Sequence, residues 1–199
     1  LPDIGLASKV GGFPTIFPKI TGAIAMQQHT LAALAFSAVA ALAGCATVTG
    51  PRAVATLAPT AGNTAAGTVR FAQSGGGKVQ VSGEIRGLKP NAEHGFHVHE
   101  KGDCSSPDGM STGGHFNPTS APHGNHDMGP HHAGDLPPLK SNAQGVATFK
   151  FESSTISVGS GATDVVGKGL IVHRDPDDFK TQPTGNAGPR LACAVIARG

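Results

Sequence analysis

From residue 53 onward the chain keeps interrupting itself, and this limits what it can become. Apolar residues arrive in short β-branched or alternating runs: Ala53 to Leu57, Gly67 to Gln73, Lys78 to Ile85, Glu93 to Glu100, Gly145 to Glu152, Gly169 to His173 and Leu191 to Ala197. Glycine, asparagine, serine or proline follows most of them within a few residues. A chain with 29 Gly, 15 Pro and only 14% charged residues cannot sustain long charged helices, whereas short strands joined by turns suit it. The expected fold is all-β, a Greek-key antiparallel sandwich or flattened barrel of about eight strands. Gly75-Gly76-Gly77 reads as a hairpin turn, because a phosphate-cradling loop needs a following Lys-Ser/Thr and a helix. Lys101 to Ser141 and Arg174 to Pro189 carry little regular pattern, and loops of that length in a compact domain are usually functional or disordered.

Charge narrows the partners. The formal net charge is +2 and the basic residues are scattered singly, so no nucleic-acid partner is expected. A small anion, if one is handled, has to be met in a pocket by a few local groups.

Three cysteines, Cys45, Cys104 and Cys193, leave one without a partner inside the chain if two pair. Leu31 to Ala43 is an uncharged apolar stretch, short for a bilayer span but suited to the core of a signal peptide. It ends in Leu42-Ala43-Gly44-Cys45, which resembles a lipoprotein processing site with Cys45 as the lipidated N-terminus. A buried core helix is the other reading of this stretch. No Lys or Arg lies between Met26 and the apolar run, so either Lys9 and Lys19 supply the leader's charge or the residues before Met26 are a spurious extension. The expected organisation is a leader over residues 1–45, a small polar tether over 46–51 and a folded domain over 52–199. The expected location is the periplasm or cell envelope, with membrane contact only through a lipid at Cys45.

Apart from His29 and His173, every one of the 10 histidines falls between His94 and His132. In Gly95-Phe96-His97-Val98-His99-Glu100 two imidazoles stand two residues apart, hence on one face of a strand, which is half of a transition-metal site. His115, His123, His132 and Asp135 follow in the long Gly/Pro-rich loop, and three imidazoles with one carboxylate form a full tetrahedral set for zinc. Such a loop has no core of its own, so a closed metal site gives it a reason to be ordered. His131 beside His132 is a competing ligand, and the His132-x-x-Asp135 spacing favours His132.

The segments around these residues carry a resemblance. Gly95-Phe96-His97-Val98-His99-Glu100, Gly114-His115-Phe116-Asn117-Pro118, His132-Ala133-Gly134-Asp135-Leu136 and Gly185-Asn186-Ala187-Gly188-Pro189-Arg190-Leu191-Ala192-Cys193 resemble, in order, signature segments of the copper,zinc superoxide dismutases, in particular the bacterial exported branch. The resemblance implies a copper ion on His97, His99, His115 and His173 and a zinc ion on His115, His123, His132 and Asp135, with His115 shared through both ring nitrogens. It implies that Asp177 orients one ligand of each metal, and that Cys104 and Cys193 form a disulfide, which needs an oxidising compartment. The implied reaction is disproportionation of superoxide at copper, with catalytic roles for His115, which would leave copper and take up a proton, and for Arg190, which would attract the anion. Lys168 and Lys180 would be further guidance groups, and Thr184 would line the channel. His94 would be structural, with His126 and His131 extra residues in the zinc loop. A homodimer is compatible with the resemblance, but the longer Cys104–His115 and shorter His173–Arg190 segments argue against carrying over a eukaryotic interface. The alternative is a non-catalytic copper- and zinc-binding lipoprotein on the same fold, which would be expected to lack a copper histidine or the arginine.

Overall fold

A computed structural model describes Pro14 and residues 50–199; the expected leader, Cys45 and most of the expected tether lie outside the described residues. Ten strands run through these residues: β1 Arg52–Pro59, β2 Ala66–Gln73, β3 Val79–Arg86, β4 Glu93–His94, β5 Phe96–His99, β6 Leu139–Lys140, β7 Ala147–Ser153, β8 Gly169–His173, β9 Arg190–Val195 and β10 Ala197–Arg198. Seven of them form one sheet in the order β5-β8-β9-β1-β2-β3-β7, with β10 as an eighth strand beside β1, while β4 and β6 make a separate pair. The named strand pairings are antiparallel. Neighbours distant in sequence, such as β5 beside β8 and β3 beside β7, come from crossing connections. The expected all-β architecture is therefore present, and no helix of the described residues is long and apolar enough to cross a membrane.

Alternation built these strands. In β1, Ala53, Ala55 and Leu57 point into the core while Arg52, Thr56 and Ala58 are exposed. Val69 and Phe71 of β2 and Val79, Val81 and Ile85 of β3 continue the same inner face. Each fully buried side chain of this size contributes roughly 1.5–3 kcal/mol relative to exposure. The glycine triplet closes the β2–β3 hairpin in a single tight turn, as its composition implies.

Three expectations need correction. Glu93 to Glu100 is two strands, not one, because the chain changes partners at Gly95. The Gly95 N–H donates to Asp175 O, the Gly95 carbonyl accepts from His173 N–H, and a Cβ on Gly95 would press on Ala187 at 2.7 Å. The long loop after β5 contains β6, which pairs with β4. A third long connection, residues 154–168, also exists; it buries Ile156, Val158 and Val165 in the core, so neither a strand pattern nor a polar loop pattern marks it.

Strand β5 is where fold and site meet. Residues opposite one another in an antiparallel pair share a face, and the register sets His97 opposite Ile171 and Phe96 opposite Val172. Phe96, Val98, Leu170 and Val172 thus face the core, while His97 and His99 face away from it. β5 lies at one end of the sheet order, and the long loop is sewn onto it: Val98 N–H donates to Gly134 O, Phe116 N–H to Val98 O and Leu136 N–H to Phe96 O. Isolated bridges set His115 beside His99 and Asp135 beside His97. A disulfide between Cys104 and Cys193, 5.9 Å apart at Cα, ties the same loop to β9.

Candidate metal centre

This stitching gathers two four-residue groups whose ligand atoms lie within 4.8 Å of one another, His97, His99, His115 and His173 in one, His115, His123, His132 and Asp135 in the other. All seven residues are buried. His115 belongs to both, its ring centroid 4.0 Å from that of His97 and 5.4 Å from that of His132. His132 lies in the second group and His131 does not; the His131 Nδ1–H donates to Gly129 O at 3.0 Å.

Hydrogen bonds fix which nitrogen of each ring is free. His99 Nδ1–H donates to Gly113 O at 2.9 Å and His173 Nδ1–H to Gly188 O at 3.0 Å, leaving each Nε2 with its lone pair. His97 is turned the other way: its Nε2–H donates to Asp177 at 2.7 Å and its Nδ1 is left free. His115 Nδ1 lies 2.8 Å from Asp135 Oδ1, with Nε2 turned to the all-histidine group. The four nitrogens so exposed to the group, His97 Nδ1 and Nε2 of His99, His115 and His173, are buried and have no hydrogen-bond partner. Burying one such atom costs about 1–3 kcal/mol, so four in one cluster fit a bound metal and little else.

The second group is organised around its carboxylates. Asp135 Oδ1 lies 2.8 Å from His115 Nδ1 and 3.3 Å from His132 Nδ1, and Oδ2 lies 3.1 Å from His123 Nδ1. Backbone N–H groups of Gly124 and His132 also donate to Oδ2. Asp177 spans the two groups, accepting from His97 at 2.7 Å and from His123 Nε2 at 2.9 Å, and is itself held by Phe179 N–H. Gly185, at φ +66°, packs on this carboxylate so closely that a Cβ would collide with Asp177 and the His123 ring. The Gln182 amide bonds both the N–H and the carbonyl of His123.

Electrostatics divides the two groups. Burial pushes His99 and His173 well below the ordinary imidazole range. Burial also lowers His115, to about 4, against the opposing hydrogen bond to Asp135. Burial would lower His123 too, but its bonds to Asp135 and Asp177 outweigh it and raise the ring to about 9. Both carboxylates would be raised by burial and are instead held below the usual range by their histidine donors. Without metal, His99, His115 and His173 are neutral at pH 7, with lone pairs ready, and the mixed group holds a proton on His123. A metal entering the mixed group must displace that proton. Zinc binding to the metal-free protein at pH 7 is therefore expected to release about one proton from His123, and its apparent affinity to rise about tenfold per pH unit up to about pH 9. Calorimetry in buffers of different ionisation enthalpy measures this; a release near zero contradicts it.

Beside the all-histidine group opens a cavity of about 490 Å³ whose lining includes His99, His173, Thr60, Asp108, Thr184 and Arg190. The half-buried Arg190 guanidinium donates to Gly109 O and Gly113 O, both at 2.7 Å, and to Thr112 Oγ1. Thr112 is fully buried and its hydroxyl donates to Gly109 O, so it is left to accept from Arg190. Neither Lys168 nor Lys180 lines the cavity. Lys168 Nζ donates to Glu100 O and sits 4.8 Å over the Phe116 ring. His94 donates from Nδ1 to His173 O, bracing the end of β8.

Residues 65–196 match the family model described as copper/zinc superoxide dismutase. The chain belongs to the copper/zinc superoxide dismutase family. It is 42% identical over 137 residues to the Cu-Zn superoxide dismutase of Paramecium bursaria Chlorella virus 1, covering 65% of this chain and 71% of that protein. It is 44% identical over 136 residues to Cu-Zn superoxide dismutase 2 of Brassica juncea, covering 65% of this chain and 88% of the relative. Among solved structures it resembles that of the clock protein EA4, with a TM-score of 0.67 and 39% identity over 75% of this chain and 96% of the other. As a copper/zinc superoxide dismutase the protein converts two superoxide anions and two protons into dioxygen and hydrogen peroxide, and its two buried groups suit the family's copper and zinc.

Proposed function

We propose that copper is held by His97 Nδ1 and by Nε2 of His99, His115 and His173, that zinc is held by His115, His123, His132 and Asp135, and that superoxide reaches the copper side through the cavity guarded by Arg190. The observation that carries this assignment is the opposite orientation of the two His115 nitrogens, one toward each group. When bound, copper supplies one-electron exchange and zinc a fixed positive charge without redox chemistry.

The side chains do the rest. Arg190, pinned by three acceptors, offers a charge that attracts a small anion into the cavity and holds it near His99 and His173. His115 carries the proton: Nδ1 stays directed at the mixed group, so the proton is taken or given at Nε2, on the all-histidine side. Asp177 keeps the His97 and His123 rings in register during this exchange.

Arg190→Ala is expected to lower kcat/KM about tenfold and to flatten its dependence on ionic strength, since a fixed cation at a cleft raises the on-rate of a small anion and salt screens that attraction. Thr112→Val, which keeps shape but removes an acceptor from the guanidinium, should give a smaller loss of the same kind, restored by Thr112→Ser. An unchanged rate and salt dependence in Arg190→Ala would remove the arginine from the account.

We further infer that the enzyme belongs to an exported, lipid-anchored branch and works in the periplasm or cell envelope. Two features support this: the apolar run ending at Cys45, and a Cys104–Cys193 disulfide that an oxidising compartment preserves. Expression with Cys45→Ser should move the enzyme from the membrane fraction to the soluble one; a wild-type enzyme already soluble contradicts the anchor.

A further inference from the structure

The cavity beside the all-histidine group carries a charge that attraction of an anion does not call for. Of the residues lining it, His99 and His173 are held neutral by burial, and only Arg190 and Asp108 keep a formal charge at neutral pH. A pocket that takes an anion therefore holds one cation and one anion. Asp108 is exposed, and its Oδ1 accepts the Met110 N–H at 3.0 Å, a bond that keeps the carboxyl below its usual range and so ionised. The next residue, Gly109, gives its carbonyl to the Arg190 guanidinium, and a Cβ there would lie 3.4 Å from Arg190 Cδ. The carboxylate thus sits one residue from the arginine's own contact, yet the guanidinium donates to Gly109, Thr112 and Gly113 and not to Asp108. On the other side of Asp108, Pro107 O accepts the Ala61 N–H at 2.7 Å, which pins this turn to the cavity wall.

We propose that Asp108 is a specificity-determining residue, a charge filter that admits monoanions to Arg190 and turns dianions away. The proposal rests on the reading that Arg190 attracts the substrate. A guanidinium alone in a cavity favours a doubly charged oxyanion such as sulfate, because its fork matches paired oxygens and Coulomb attraction grows with charge. A dianion lodged at Arg190 blocks the approach to His99 and His173 in the same cavity. A carboxylate beside the arginine opposes every anion in proportion to its charge. The opposing energy doubles from a monoanion to a dianion, so the factor by which binding weakens is squared. Superoxide bears one charge and hydrogen peroxide none; both pass, while the doubly charged competitor is held off. The consequence is a slower capture of superoxide than Arg190 alone would give.

The test compares metal-loaded wild type with Asp108→Asn, which keeps the Oδ1 acceptor for Met110 and removes the charge, and with Asp108→Glu, which keeps the charge and alters the turn. Azide, a monoanion, is titrated at constant ionic strength and followed by the visible absorption of the copper; sulfate, a dianion, is titrated in competition with it. Asp108→Asn should bind azide about twofold and sulfate about fourfold more tightly, the order expected of one unit charge acting across a few ångströms of water. Its kcat/KM for superoxide should rise about twofold at low salt and converge on the wild-type value at high salt, where the carboxylate is screened. Asp108→Glu should match the wild type in all three measurements. Equal tightening of azide and sulfate, no tightening of either, or a Glu variant that behaves like the Asn variant would overturn the proposal. Arg190→Ala separates the two readings: sulfate binding unchanged in that variant would overturn the role of the arginine and the filter with it, whereas sulfate binding lost there but unmoved in Asp108→Asn would overturn the filter alone.

Discussion

Removing the Cys104–Cys193 bond, by reductant or by replacing both cysteines with alanine, is expected to cost the folded protein about 4–5 kcal/mol, which is the loop-closure entropy returned to the unfolded chain by a bridge spanning 89 residues. The bridge joins the start of the long loop to β9, and that loop supplies Gly109, Thr112 and Gly113, the three residues that fix Arg190. Arg190 lies on β9, the strand that bears Cys193. Loss of the bond should therefore weaken salt-dependent substrate attraction as well as stability. Urea unfolding of the metal-loaded protein, with and without reductant, measures the first effect. A difference below about 1 kcal/mol would show that the loop is held by its backbone stitching to β5 and not by the bridge.

Asp177→Ala is expected to lower zinc affinity by about 10–100-fold, the usual consequence of losing an outer partner of a metal-binding imidazole. The effect falls on both metal groups because one carboxylate serves His97 and His123. Without it, His97 loses the bond that directs Nδ1 inward, and His123 keeps only Asp135. Asp177→Asn should lie between the two, since the amide retains one acceptor oxygen for one of the rings. Competition with a zinc chelator gives the affinities. Equal affinities for wild type and Asp177→Ala would mean that packing by Gly185 and the Gln182 bonds already fix His123.

Sequence pattern revealed most strands because burial on one face imposes a period of two. β1, β2, β3 and β8 lie where alternation or β-branched residues place them. The break at Gly95 escaped because its cause is tertiary: local residues read as one extended run, and only contact with Ala187 and Asp175 separates β4 from β5. The connection over residues 154–168 escaped because its apolar side chains are buried without regular alternation.

The same division holds at the site. Histidine spacing and the family resemblance pointed to seven candidate ligands, which the fold does bring together in two groups. The free nitrogen on each ring was not legible, since it follows from carbonyls such as Gly113 and Gly188 that the loops deliver. Thr112 gave no signal either; its role depends on a turn at Met110–Thr112 that places a buried hydroxyl against Arg190. Lys168 and Lys180, which the resemblance implied as guidance groups, lie outside the cavity lining, so any pull they exert on an anion acts from a distance.

The sharing of His115 between two metals is tested most directly by diffraction from crystals of the copper- and zinc-loaded protein, with anomalous data collected at both absorption edges. The account predicts a copper signal bounded by His97 Nδ1 and by Nε2 of His99, His115 and His173, and a zinc signal bounded by Nδ1 of His115, His123 and His132 and by Asp135. A single metal on His115, or a zinc signal held by His131 in place of His132, would contradict it.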